Sequence, residues 1–305
     1  MLRHALVSTC LVLGLTSLSF GQVKLERKVR NETSHTAETY SRIDQVLTIV
    51  GMDMETNVES RTTVKSTAGK RDEAGLIQVK EKIESLQVTI NNQAGNYFFD
   101  SANPDNKGTS DTEAVRDIHK ALMRRVSTTT YDKQNKIVSI QSENDVLSTL
   151  PVELQNLVKS QLDPENLKKA ANEQLDQLPS EPVSKGDSWQ RTSNASFGAG
   201  QFMEFQTKLT YEGTVEKDGR KLEKITAKAL SVNYYLKDSP LQLVVKSNNL
   251  KATETDSVIL FDRELGQVVE TKSSTHIAGD IVFEVNGMEL PSKLDLKMQY
   301  SVLVK

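Results

Sequence analysis

Apolar and polar residues alternate strictly over long stretches of this chain. Val46, Val50, Met52, Met54, Val58 and Val64 fall at even positions, with Asp53, Glu55, Asn57 and Glu59 between them. A period of two puts the first set on one face of an extended strand and the second on the other, where a helix would scatter both. The pattern predicts one long strand from Val46 onward. Met203, Phe205, Leu209, Tyr211 and Val215 repeat it, with Glu204, Lys208 and Glu212 opposite. Leu294, Leu296, Met298, Tyr300, Val302 and Val304 do so again at the C-terminus. Further strands are predicted near 76–90, 222–236, 241–261, 267–277 and 280–285.

Turn residues divide these runs. Asn286-Gly287 and Asp218-Gly219 are two-residue hairpin signals, because both positions tolerate positive φ. Ala68-Gly69 and Leu265-Gly266 are looser versions. The period changes in the middle of the chain. Ser110-Asp111-Thr112-Glu113 has the form of a capping box, and Val115, Ile118, Leu122 and Val126 follow on one helical stripe. A second helical stretch runs over 151–178, with Pro151 and Asp163-Pro164 as start signals. Pro179, Pro182 and Gly186 end it.

The two β-rich parts share small features. Thr63-Val64-Lys65 leads to the turn at Gly69, and Thr214-Val215-Glu216 to the turn at Gly219. Tyr131-Asp132-Lys133 has a counterpart in Phe261-Asp262-Arg263. The expected fold is α+β and predominantly antiparallel: a long-stranded curved sheet or open half-barrel with a central helical insertion, built of two pseudo-repeats if the shared features reflect duplication. The expected segments are a signal peptide at 1–21, a first β-meander unit at 22–110, a helical insertion at 111–185 with a short hairpin near 127–142, and a second unit at 186–305.

The first residues read as a secretory signal. Arg3 and His4 precede an apolar run from Ala5 to Leu18, and Ser19-Phe20-Gly21 offers small residues at a cleavage site. The run is shorter than the roughly 20 residues that span a bilayer, so no stable membrane span is expected after cleavage. Removal takes away Cys10, the only cysteine, and with it any disulfide or Cys-based metal site. Loss of Arg3 moves the formal net charge from −3 to −4. Nucleic-acid binding is not expected, since phosphate neutralisation needs clustered Lys and Arg. The expected location is periplasmic or secreted.

Candidate chemistry is sparse. His35, His119 and His276 stand in no metal-ligand spacing, and there is no Gly-x-Ser-x-Gly elbow. Asn103 to Gly108 resembles a calcium loop but puts Lys107 at an oxygen-ligand position. No catalytic residue, metal or cofactor is assigned. His119 reads as a flank or surface residue of its helix. Trp189, the only tryptophan, opens a new segment after a Gly-Asp turn. A buried anchor there predicts a loss of roughly 3–5 kcal/mol on Trp189→Ala; a ligand-stacking platform is the alternative. Met52, Met54, Met203, Phe205 and Tyr211 face the covered side of the sheet, either as core or as the wall of an open apolar groove.

Several short motifs in a fixed order resemble a family of exported bacterial proteins known only as a domain of unknown function. They are Thr39-Tyr40, the long Met-containing strand, Leu178-Pro179, Pro182, Gly186-Asp187-Ser188-Trp189 and Phe261-Asp262-Arg263-Glu264-Leu265-Gly266. The resemblance implies export and assigns no activity. The expected architecture is similar to the half-barrels of periplasmic lipoprotein carriers, by analogy alone. The expected function is that of an exported, non-enzymatic binding protein for an apolar or lipid-like ligand, with Met52, Met54, Met203, Phe205, Tyr211 and Trp189 as candidate contacts. The alternatives are a cell-envelope structural or interaction module without a pocket, partnered by an envelope protein, and a hydrolase with a dispersed site.

Overall fold

The computed structural model describes residues 22–105, 110–143, 147–152, 154–155, 162–175, 177–198, 200–236 and 243–305. The expected signal segment, with Cys10, and Leu157 and Val158 of the second helical stretch lie outside them. The strands are β1 (Ser34–Ile49), β2 (Met52–Ala68), β3 (Ile77–Asn92), β4 (Gly95–Asp100), β5 (Val126–Tyr131) and β6 (Ile137–Ser142). After them come β7 (Ser188–Gly198), β8 (Gln201–Lys217), β9 (Arg220–Leu236), β10 (Val244–Asp262), β11 (Gln267–Val285) and β12 (Met288–Val304). Helix α1 (Ser110–Arg124) lies between β4 and β5, and helix α2 (Pro164–Leu175) between β6 and β7.

All twelve strands join one antiparallel sheet in the order β6-β5-β3-β2-β1-β12-β11-β10-β9-β8-β7, with β4 hydrogen-bonded to β3 off this path. The chain starts at the centre, runs out to one edge, crosses through the helical segment to the other edge and returns to the centre. The sheet is open: β6 and β7 are its two edges. Helix α2 lies against β6 and touches β7, so it covers the seam.

The hairpins follow their turn residues. Asn286 and Gly287 have φ of 49° and 81°, and Asp218 and Gly219 have 52° and 72°. The predicted strand from Val46 is in fact two strands. Val50 (φ 50°) and Gly51 (φ 81°) form another two-residue turn, and Ile49 pairs with Met52. A β-branched residue at positive φ is a poor turn signal, so the alternation ran straight through it. Leu47 therefore opposes Met54, while Val46 opposes Glu55 on the other face. The predicted strands 267–277 and 280–285 are one strand that runs through Gly279. A Cβ there would lie 2.1 Å from the Asn249 carbonyl oxygen, an approach only glycine allows.

The first helix begins at Ser110, as the capping signal predicts, but ends before Val126, which opens β5. The second stretch is interrupted at Asp163: Val152, Leu154, Gln155 and Leu162 are helical before it, and α2 follows it. Its start is as expected: the Asp163 side chain accepts from the Asn166 amide at 2.9 Å, just before Pro164.

Register assigns every strand residue to one of two faces. The helix face carries most of the core. Val115 and Met123 of α1 cover Leu86, Val88, Tyr97 and Phe99 of β3 and β4, and Ala171 of α2 covers Ile77, Val79, Tyr131 and Ile137. Beyond the helices, Met203, Val232, Ile277, Ile281, Phe283 and Leu296 form one buried cluster drawn from β8, β9, β11 and β12. The described helices do not pack extensively on those strands. Tyr234 of β9 and Phe283 of β11, two strands apart, meet edge to face at 6.1 Å, as a sheet rolled with its helix face inward allows.

Residues 23–29 close one end. Val23 exchanges backbone hydrogen bonds with Val183 at 2.8 and 2.9 Å, and Leu25 is buried among Leu209, Tyr211, Ile225 and Phe261. The Lys28 amide donates to the Gly266 carbonyl in the β10–β11 turn at 2.8 Å. The Val29 amide donates to Asn135 Oδ1 in the β5–β6 turn at 3.1 Å. The segment is a strap between the two wings. The two turns it binds are the paired Tyr131-Asp132 and Phe261-Asp262 motifs. In each, the Asp side chain accepts two amides of its own turn: Gln134 and Lys136, then Glu264 and Leu265.

Candidate functional site

The face opposite the helices carries a cavity of about 720 Å³. Its floor crosses the middle of the sheet, with Tyr40 on β1, Arg61 and Thr63 on β2, Ser301 and Leu303 on β12, and Lys272 on β11. One wall is Asp100 to Ala102 at the end of β4. The other is the tip of the β8–β9 hairpin, with Lys217, Asp218, Arg220 and Leu222.

Three β-bulges shape this region. They interrupt the ladders between Thr63 and Val64, between Tyr211 and Gly213, and between Leu260 and Phe261. Each adds a residue that bends its strand and reverses which face the following side chains occupy. The extra residue of β8 turns Val215 away from the helix face. The extra residue of β11 is Val269, which lines the cavity. Val215, Leu222, Leu260 and Val269 therefore form a second apolar cluster at the base of the cavity wall.

Charge is distributed unevenly around this apolar base. Glu270 is buried and accepts hydrogen bonds from Lys217 and, at 3.0 Å, from Lys272. The hydrogen bond from Lys217 is the main cause holding its carboxyl below the usual range, and Lys272 adds to it. Arg220 stands 3.9 Å from Asp262. On the floor, the Arg61 guanidinium lies 5.3 Å above the Tyr40 ring and pairs with Glu59 at 2.8 Å. Glu38 pairs with Lys305 at 2.6 Å.

The candidate residues of the sequence reading fall elsewhere. Met203 and Tyr211 are 1% and 2% exposed on the helix face, and Phe205 packs against the same core. The Tyr211 hydroxyl donates at 2.5 Å to the buried carboxylate of Glu223, which also pairs with Arg263 at 2.9 Å. Met52 and Met54 share that face but stand beyond its covered part, at a hairpin tip, 70% and 38% exposed. The expectation that they are covered is corrected by the turn at Val50-Gly51, which places them at the end of the sheet. Trp189 is half-buried. Its indole N–H donates to the Gln177 carbonyl at 2.8 Å, and its ring packs on the cluster around Leu25. It anchors the chain entering β7, so Trp189→Ala should cost about 2 kcal/mol, less than a fully buried ring, as chemical denaturation would measure.

The histidines do not converge. His119 is not a surface residue. It lies on the Tyr97 and Phe99 rings, with Nδ1 2.7 Å from the Tyr97 hydroxyl. His276 contacts Asp295 through Nε2 and Thr253 through Nδ1, both at 3.1 Å. This hydroxyl–imidazole–carboxylate row crosses three strands on exposed sheet surface, and none of the three residues lines the cavity. No group of three or more potential metal ligands occurs among the described residues. No helix among them is long and apolar enough to cross a membrane.

The cavity residues come from many short stretches, and alternation alone reads their face as plain wet surface. The only prior signal was Thr39-Tyr40, part of the family-like motif run. The other motifs build structure: Gly186 (φ 96°) and Asp187 pair with Tyr211 and start β7, and Phe261 to Gly266 holds the strap.

A search of curated proteins gives no match. Among solved structures, one of lipovitellin, titled for its lipid–protein interactions, is 7% identical, with a TM-score of 0.39. That match covers 91% of this chain and 25% of the other, so the chain spans a quarter of that protein's length. The translocator domain of the autotransporter NalP from Neisseria meningitidis is 8% identical, with a TM-score of 0.21, over 92% of this chain and 90% of that one. Neither likeness is close enough to carry an argument. Over residues 74–218, which include Leu178-Pro179 and the Gly186-Asp187-Ser188-Trp189 run, the chain matches the model of DUF6263, a family of unknown function.

Proposed function

We propose that this chain is an exported binding protein and that the cavity opposite the helices holds a small guest with an apolar portion. The observation that supports this reading is the cavity itself. Its 720 Å³ falls within the roughly 300–1,000 Å³ of small-molecule sites. It joins an apolar base at Leu222 and Val269 to a rim of polar and charged side chains, and bulges shape its walls. The signal-like sequence at 1–21 supports export. Native mass spectrometry of protein purified gently from its host envelope tests both parts. The expected result is a chain beginning near Gln22 with a bound small molecule. A chain that still carries residues 1–21, or one that is always empty, counts against the reading.

One observation favours a second reading, an interaction module of the envelope. Val50, Met52, Met288 and Val244 are exposed at one end of the sheet, at or beside hairpin tips. Crosslinking in the host from position 52 or 288 to a single envelope protein would support it. Loss of that crosslink on filling the cavity would merge the two readings.

A further inference from the structure

We infer that the guest is an amphiphile with an anionic head, held with the head at the β8–β11 wall and the tail along the apolar base. The inference rests on the cavity being a guest site. On this wall three cations, Lys217, Lys272 and Arg220, come from β8, β11 and β9. Glu270 takes both lysines, and with Asp218 and Asp262 the carboxylates here match the cations, so the wall carries no excess charge and its free hydrogen-bonding capacity lies with Arg220. Arg220 meets Asp262 only at 3.9 Å, beyond hydrogen-bond reach. One Asp262 oxygen is already committed to the Glu264 and Leu265 amides. The donors of Arg220 thus remain available to a guest carboxylate or phosphate, the chemistry a guanidinium fork suits best.

The opposite side of the cavity carries two carboxylates, Glu38 and Asp100. Glu38 is neutralised by Lys305. Asp100 accepts from Gln87 Nε2 at 3.1 Å and from the Ala102 amide at 2.9 Å. At the wall where the base is most apolar, a cationic head would meet three cations beside Asp218 and the already committed Glu270. An anionic head would find donors there, with Leu222, Val269 and Leu303 beside it for its tail.

The test uses the whole mature chain and three probes of one chain length: dodecanoate, dodecanol and dodecyltrimethylammonium. Titration calorimetry at low salt should show dodecanoate binding about tenfold more tightly than dodecanol, the size of one or two charge-assisted hydrogen bonds. The ammonium probe should bind most weakly. The preference should shrink as salt rises. The double variant R220Q/K272Q should weaken dodecanoate about tenfold more than it weakens dodecanol. If the three probes bind equally, or the double variant keeps the preference for dodecanoate, the anionic assignment is wrong while the cavity reading stands. If none of the three binds, both fail.

Discussion

Replacing Leu25 by Asp is expected to cost at least about 3 kcal/mol, the loss of a buried Leu side chain plus the penalty of placing a carboxylate among apolar groups. Leu25 is the buried centre of the strap, surrounded by Leu209, Tyr211, Ile225 and Phe261. The strap's polar contacts include backbone hydrogen bonds to Val183 and Gly266, two hydrogen bonds with the Asn135 side chain, and side-chain hydrogen bonds from Arg27 to Tyr131 and from Lys28 to the Arg263 carbonyl. Each is modest alone, at about 1 kcal/mol net. Their position gives them weight, since they link the β5–β6 turn of one wing to the β10–β11 turn of the other. Urea denaturation should show the lower stability. Hydrogen exchange should show the amides of Lys28 and Val29 losing protection before those of β1 and β12. A loss below about 1 kcal/mol would mean that the strap merely lies on the surface.

Mild acid should destabilise the protein through His119. Burial, with a smaller contribution from the nearby Arg116, lowers its pKa from 6.5 to about 4. Burial also pushes the Tyr97 hydroxyl up to about 12, so that hydroxyl stays protonated beside the neutral imidazole. The folded chain therefore resists a proton that the unfolded chain accepts. Stability from this site is complete above pH 6.5 and falls as the pH drops toward 4, by up to roughly 3 kcal/mol from linkage. His119→Gln should remove most of that slope, because an amide does not titrate in this range. Thermal unfolding from pH 7 to pH 4 in both proteins measures it. An equal slope in wild type and variant would assign the acid sensitivity elsewhere. The helix α1, which His119 holds to β3 and β4, should be the first part to loosen.

Much of the fold was legible because its strands are long and wet on one side. Alternation over Met203 to Val215 and Leu294 to Val304 gave strands and faces together. Asn286-Gly287 and Asp218-Gly219 gave the hairpins that order them. The reading failed where a local exception was silent in composition. Val50 takes a turn conformation that its side chain disfavours, so one strand was read for two and Val46 was put on the wrong face. The same parity logic hid the cavity. Single inserted residues on β3, β8 and β11 reverse the alternation, and Leu222 and Val269 emerge on the face expected to be polar. Met203, Phe205 and Tyr211 were rightly grouped on one face. The rolling of the wing that makes them core depends on contacts between distant strands, which no local pattern carries.

The central claim is that the cavity opposite the helices is the binding site, and filling it tests that most directly. Ser301 lies on β12 in the cavity floor, on the face away from the main core. Ser301→Trp should occupy the space with little effect on stability, which unfolding in parallel would verify. In titration calorimetry with dodecanoate, the account predicts binding by the wild-type chain and at least a tenfold loss in the variant, a difference of about 1.4 kcal/mol. Unchanged dodecanoate binding by a folded Ser301→Trp protein would contradict it.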